Sequence, residues 1–234
     1  MAHINFYNCD NMTYKDNHKY NLIYCDYIYQ NKDFSWVDKY WEFLKETGIF
    51  IVQTDDSTQA EIKLYLDNIS GGRDHWVNTL IYKMEWGGTP SKGFPQKHDY
   101  IHVYCKNNKK EYTWNKEPIQ IPKVTAGTKF DKKGTGLKTP CSVFDDLGNF
   151  STMSKERVKN NNGRNIQWQK PMKLMNRLFL AFTNEDDWIL DPFMGSGTSA
   201  MWCQQNNRNF IGIEYDEEVF KIALKRFAEG FDDN

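Results

Sequence analysis

The stretch WILDPFMGSGTSAMWCQQNNRNFIGIEYD, residues 188–216, limits the fold of this 234-residue chain more than any other. An apolar run ends in Asp191, a loop with glycines at 195 and 197 follows, then a helical segment, and a second apolar run ends in Glu214. Strand, glycine loop, helix, strand and acid in that order make a nucleotide-binding half of a doubly wound sheet. Glycine lets backbone approach a ligand closely, and an acid ending the second strand can accept hydrogen bonds from both hydroxyls of a ribose.

The rest of the chain alternates in the same way. Residues 3–8 and 21–25 read as short strands, 36–47 as a helix, and GIFIVQ from Gly48 as a buried strand. Ser57 is placed to cap a helix with Ile62, Leu64, Leu66 and Ile69 on its apolar side, ended by Gly71 and Gly72. WVNTLIY and YIHVYC are rich in β-branched and aromatic residues and read as strands. Pro171 suits the first turn of a helix reaching about Ala181, and WIL, 198–206, NFIGIE and 216–227 complete a strand, helix, strand, helix series. Such alternation predicts an α/β chain with a mostly parallel sheet covered on both faces. Because the nucleotide-binding unit is C-terminal, the second half of the sheet is expected from N-terminal residues, in permuted order. The strand ending at Asp26 would then lie beside the strand ending at Asp191, at the switch point where ligands bind.

Composition narrows the class. With 39% hydrophobic and 15% aromatic residues the chain can bury a sizeable core, and one domain over 1–234 is expected. No signal peptide and no apolar run long enough to span a membrane is present in the sequence, so a cytoplasmic protein with no membrane partner is expected. Cys9, Cys25, Cys105, Cys141 and Cys203 are odd in number and scattered, and the five histidines are scattered too. Neither a disulfide framework nor a metal site is expected. The net charge is −1, yet Lys109, Lys110, Lys116, Lys123, Lys129, Lys132 and Lys133 stand between Lys106 and Lys138 against only Glu111, Glu117 and Asp131. Prolines and glycines interrupt that stretch, which reads as an irregular insertion with a basic face.

The glycine loop also fits Gly-x-Gly-x-x-Ala, so a nicotinamide-dependent oxidoreductase has to be weighed. Asp191-Pro192-Phe193-Met194 between strand and first glycine opposes it: a carboxylate there repels a pyrophosphate and attracts the ammonium and sulfonium of S-adenosylmethionine.

These residues resemble the amino-group DNA methyltransferases of the permuted β-class. DPFMGSGT is similar to the cofactor motif of that family, and SKERV from Ser154 with QKP from Gln169 to the lead-in before it. KHDYIHVY and TDDS resemble further family segments, so the likeness runs from about Asn5 to Phe227. The resemblance implies a Rossmann-like fold and S-adenosylmethionine surrounded by Asp191, Phe193, Gly195, Gly197, Thr198, Glu214 and Lys170; Trp168, just before Gln169 and Lys170, is the best-placed tryptophan for a wall of that pocket. It implies DNA as partner and residues 106–153 as an inserted target-recognition segment. Lys129, Lys132 and Lys133 are then expected on phosphates, and Lys92, in the loop that also holds Trp86, on phosphates or near an extruded base. A homodimer is compatible with the sequence.

The family carries an Asp-Pro-Pro-Tyr motif after a buried strand; this chain has Asp26-Tyr27-Ile28-Tyr29, without the prolines. An exocyclic base amine is a poor nucleophile because its lone pair is delocalised into the ring. Acceptors that hold both amino hydrogens aim that lone pair at a methyl group, and an aromatic face holds the extruded base. Asp26, the Tyr27 carbonyl and the Tyr29 ring match those needs, Ile28 completing the turn. The missing prolines remove a rigid turn, and restoring them at 27 and 28 is expected to keep or raise activity. By the resemblance, aspartate at the head of the motif favours N6 of adenine. Cytosine-N4 transfer, a catalytically impaired DNA-binding relative and, more weakly, the nicotinamide oxidoreductase remain as alternatives.

Overall fold

The computed structural model describes residues 2–27, 32–84, 88–132, 134–148, 150–166 and 168–230. Ile28, Tyr29, Trp86 and Lys133, all named above, lie outside the described residues.

The strands are β1 (Ile4–Asn8), β2 (Tyr20–Asp26), β3 (Leu44–Thr54), β4 (Trp76–Lys83), β5 (His98–Cys105), β6 (Ile121–Pro122), β7 (Leu137–Lys138), β8 (Val143–Phe144), β9 (Trp188–Asp191) and β10 (Asn209–Glu214). The helices are α1 (Ser35–Glu42), α2 (Gln59–Ser70), α3 (Met172–Phe182), α4 (Thr198–Gln205) and α5 (Glu217–Glu229). Among the described residues, eight strands form one sheet in the order β1-β10-β9-β2-β3-β5-β4-β8, and β6 pairs with β7 separately. Neighbours from β1 through β3 run parallel, and β5 alone is antiparallel to both its neighbours. The sheet is therefore mostly parallel and doubly wound, in permuted order. The N-terminal β1 closes the edge next to C-terminal β10, and Ile23 on β2 pairs with Leu190 on β9.

Both faces are covered. Leu22 and Tyr24 pack with Leu174, Leu178 and Phe179 of α3 and Trp202 of α4, whereas Ile23 and Cys25 pack with Trp36, Val37 and Tyr40 of α1 and Ile62 and Leu66 of α2. A strand buried on both sides is apolar at nearly every position, which is why YNLIYC shows no alternation. Each fully buried large side chain contributes about 1.5–3 kcal/mol. Tyr24 and Trp202 both meet the Phe179 ring edge-on, at 5.6 and 5.3 Å between centroids.

Three local expectations change. The helix expected over 36–47 ends at Glu42 because Tyr20 donates its N–H to the Phe43 carbonyl and pairs with Leu44, drawing residues 44–47 into β3. Thr58, not Ser57, stands at the N-terminus of α2; the Asp55 carboxylate organises that turn, accepting from both backbone N–H groups and both hydroxyls. Leu64 is 69% exposed, since the buried stripe of α2 runs through Ile62 and Leu66 and a residue two positions from each faces away. Among the described residues no helix is long and apolar enough to cross a membrane.

Candidate active site

The C-terminal ends of β1, β10, β9 and β2 lie side by side, and the site is assembled from the residues just past them. Asp191 ends β9 with 2% exposure. Its Oδ1 accepts the Phe193 N–H (3.0 Å) and its Oδ2 the Ser199 hydroxyl (2.6 Å). Burial, with the Asp26 and Glu214 carboxylates nearby, pushes Asp191 up to about 7 against the pull of those two donors. The loop then turns through Gly195 and Gly197, at φ of 54° and 78°, where a side chain would be strained. A Cβ at Gly197 would also press on Ala223 of α5 at 3.3 Å. Met194 anchors the loop by donating its N–H to the Ile213 carbonyl, and its side chain lies over Gly212, where a Cβ would collide with it and with the Phe210 ring.

Glu214 closes the loop from the other side. Its two carboxylate oxygens accept the N–H groups of Gly195 and Asp216, each at 2.9 Å, and burial raises its pKa. Each oxygen keeps a second lone pair for a ligand. Thr198 is less free, since Arg226 donates to its hydroxyl and to the Ser196 carbonyl, both at 3.0 Å.

Asp26 ends β2, beside β9. Its carboxylate lies 2.9 Å from the Lys170 ammonium, which stands 3.4 Å from buried Asp99 on β5. Burial pushes Asp26 up to about 6, with Lys170 lowering it and Asp99 raising it. Tyr27 is 3% exposed: its ring stacks on Trp36 at 4.9 Å and meets Phe193 edge-on, its hydroxyl donates to the Asp33 carbonyl and its N–H to the Gln53 carbonyl. Proline at 27 would therefore break a ladder bond and a packed ring, so restoring the motif is not the neutral repair the sequence suggests.

One cavity of about 580 Å³ joins these parts, and across the sheet its lining passes from Glu214 of β10, with Gly195, through Asp191 of β9 to Asp26 of β2, with Lys170 beside Asp26. Phe193 and Thr198 line it as well, and Trp168, at φ 64° and 55% exposed, forms part of its wall. Asp10, Asn11 and Ser199 line it too, although none was picked out from sequence. An acid just past a strand was available as a signal at Asp10, since parallel β1 ends at the same edge. Lys92, Lys129 and Lys132 are exposed and do not line the cavity. Lys129 lies over the Phe130 ring at 5.3 Å, in a loop pinned by Asp131, which accepts from the Gly136 N–H and pairs with Lys123. Lys123 is thus committed within the loop.

A permuted, doubly wound sheet that gathers an acid-flanked glycine loop from one half and an acid-tipped strand from the other defines a Rossmann-like fold with a cavity at its switch point. The chain belongs to the N6_N4_Mtase family, described as DNA methylase, whose model matches residues 7–225. It is 37% identical over 201 residues to the Type II methyltransferase M.HinfI of Haemophilus influenzae, covering 83% of this chain and 50% of that protein. It is 29% identical over 197 residues to the Type II methyltransferase M.HpaI of Haemophilus parainfluenzae, covering 84% and 58%. The chain thus spans little more than half the length of these relatives. Among solved structures, the M1.HpyAVI-SAM complex superposes with a TM-score of 0.68 at 23% identity, covering 95% of this chain and 99% of that one. PvuII DNA methyltransferase, cytosine-N4-specific, superposes with the same TM-score at 14% identity, covering 100% and 88%. Both likenesses are of fold.

Proposed function

We propose that this chain transfers a methyl group from S-adenosylmethionine to an exocyclic amine of an extruded DNA base, N6 of adenine being the favoured acceptor. One observation carries the reading: a single cavity joins Asp26 to the Asp191–Glu214 glycine loop. Asp191 and Glu214 are desolvated carboxylates hydrogen-bonded by neutral donors, a lining suited to a ligand that brings positive charge and hydroxyls. When bound, S-adenosylmethionine supplies an electrophilic methyl on a sulfonium. Asp26 and the Tyr27 carbonyl would accept the two amino hydrogens of the base, aiming its lone pair along the sulfur–methyl axis. As the nitrogen–carbon bond forms, the sulfur–methyl bond breaks, the thioether leaves and one amino proton is lost to solvent. The Tyr29 ring is assigned to stacking on the base. Phe193, against Tyr27, couples the cofactor loop to the acceptor strand.

Cytosine N4 is the second reading, since a cytosine-N4-specific enzyme shares the fold and the fold does not separate the two acceptors. Incubation with labelled S-adenosylmethionine and mixed-sequence DNA, then nucleoside chromatography, decides: label in N6-methyladenine is expected, and label in N4-methylcytosine would reassign the base. Absence of label with intact DNA binding would leave a non-catalytic DNA-binding relative.

DNA phosphates are assigned to the basic face of residues 106–153 through Lys129, Lys132 and Lys133, with Lys92 on the β4–β5 loop, and this segment is assigned to target recognition. Replacing Lys129, Lys132 and Lys133 with Ala should flatten the salt dependence of DNA binding by roughly 0.9 in log–log slope for each phosphate no longer neutralised. Cofactor affinity should not change. An unaltered slope would leave the segment a solvated loop.

A further inference from the structure

Behind the acceptor end of the cavity stands a line of buried polar side chains. Lys170 bridges Asp26 and Asp99 at 2.9 and 3.4 Å. Gln53 donates its side-chain amide to the same Asp99 oxygen at 2.7 Å, and the Tyr24 hydroxyl donates to the Gln53 carbonyl oxygen at 2.7 Å. These groups come from β2, β3, β5 and the residue before Pro171, and Tyr24, Gln53, Asp99 and Lys170 are all 9% exposed or less. Removing charges from water is costly, and apolar residues of similar volume usually stabilise such a position at least as well. A line of five polar groups, four of them buried, that ends at Asp26 on the cavity therefore points to a role there.

Its electrostatics indicate which. A lone Asp26–Lys170 pair would direct the ammonium wholly at Asp26 and blunt it as an acceptor. With Asp99 sharing that ammonium, two carboxylates face one cation and the cluster keeps a net negative charge. Because the Gln53 oxygen accepts from Tyr24, its NH₂ is turned to Asp99, which fixes that carboxylate. We propose that Lys170 is a positioning residue for Asp26, not a cofactor ligand, and that Asp99, held by Gln53 and Tyr24, sets how much of the Lys170 charge Asp26 receives. The inference rests on the reading of Asp26 as acceptor of the base amine. Other titratable groups around this line are Asp191 from β9 and the buried Cys25 thiol on β2, both of which interact with Asp26, and Tyr82, Glu156 and Arg157 at the Lys170–Asp99 end.

The test is the carboxyl ¹³C titration of Asp26, assigned with Asp26→Asn, in the whole chain and in Lys170→Met and Asp99→Asn. Loss of the cation should raise the Asp26 midpoint by about one pH unit or more, and loss of the like charge should lower it. With S-adenosylmethionine saturating, the acid limb of kcat/KM for DNA should move in the same two opposite directions. S-adenosylmethionine affinity should stay within about twofold in both variants, since the proposal gives neither side chain a contact with the cofactor. Midpoints that do not move, or move the same way, overturn the proposal, and so does a tenfold loss of cofactor affinity in Lys170→Met. Asp99→Asn keeps the side-chain shape and decides by itself if Lys170→Met does not fold. The titration needs no turnover, so an inactive wild type would count against methyl transfer while the midpoints still judge this inference.

Discussion

Asp26→Ala should lower methyl transfer about 10²- to 10⁴-fold, the range for removing a positioned proton-handling group, while leaving S-adenosylmethionine affinity nearly unchanged. The carboxylate is at the Lys170 end of the cavity, and the cofactor is assigned to the glycine loop. Stability separates a catalytic from a structural loss. Asp26 is raised to about 6 in the fold against an ordinary 3.8, so the native state holds its proton more tightly than the unfolded chain does. Its contribution to stability therefore falls as pH rises from about 4 to about 6 and is constant above that. The variant lacks that decline, and Lys170 retains Asp99. Thermal melts at pH 7.5 should show the variant no less stable than wild type. A large drop in melting temperature together with the loss of turnover would make Asp26 a structural residue.

Asp191→Asn should weaken S-adenosylmethionine binding by more than about tenfold, consistent with 1.5–3 kcal/mol for a charged hydrogen-bond partner, and should remove its pH dependence. In the wild type the carboxyl titrates near 7, chiefly because it is buried. Below that pH it is neutral, and the affinity of a cationic ligand should fall toward tenfold per pH unit between about 7 and 5. Titration calorimetry between pH 5 and 6.5 stays about a unit or more below the α-amino range of about 7.7–8.0, where the ligand's own charge would be lost. An equally steep pH dependence in Asp191→Asn would place the titrating group elsewhere. The same group depresses stability as pH rises from about 4 to about 7, by on the order of 4 kcal/mol at most, so the ligand-free variant should gain stability at pH 7.5. Gain in stability with loss of binding is the mark of a charge held in the fold for its ligand.

Much of this was legible in the chain because it is local. Strand, glycine loop, helix, strand and acid fall within residues 188–216, and the contacts that shape the loop, Asp191 to Ser199 and Gly195 to Glu214, join residues 8 and 19 apart. Periodicity and glycine placement encode such contacts directly. The permuted order was expected because the nucleotide-binding unit follows the other predicted strands, and the sheet shows it, Ile23 of β2 pairing with Leu190 of β9. Residues 44–47, by contrast, are acceptable in a helix or a strand, and it was Tyr20, from a different strand, that made them sheet. Lys170, Asp99 and Gln53 carried no local sign of one another; Gln53 and Asp99 are 46 residues apart and meet only because β3 and β5 pair. Asp10 and Asn11 reached the cavity only because β1 closes on β10 at the far end of the chain. The sequence alone determined the kind of site, because its loop and acids are set by backbone geometry over short spans. Tertiary structure decided which charges face each other inside it, because Coulomb interaction depends on distances that strand pairing, not sequence spacing, brings into range.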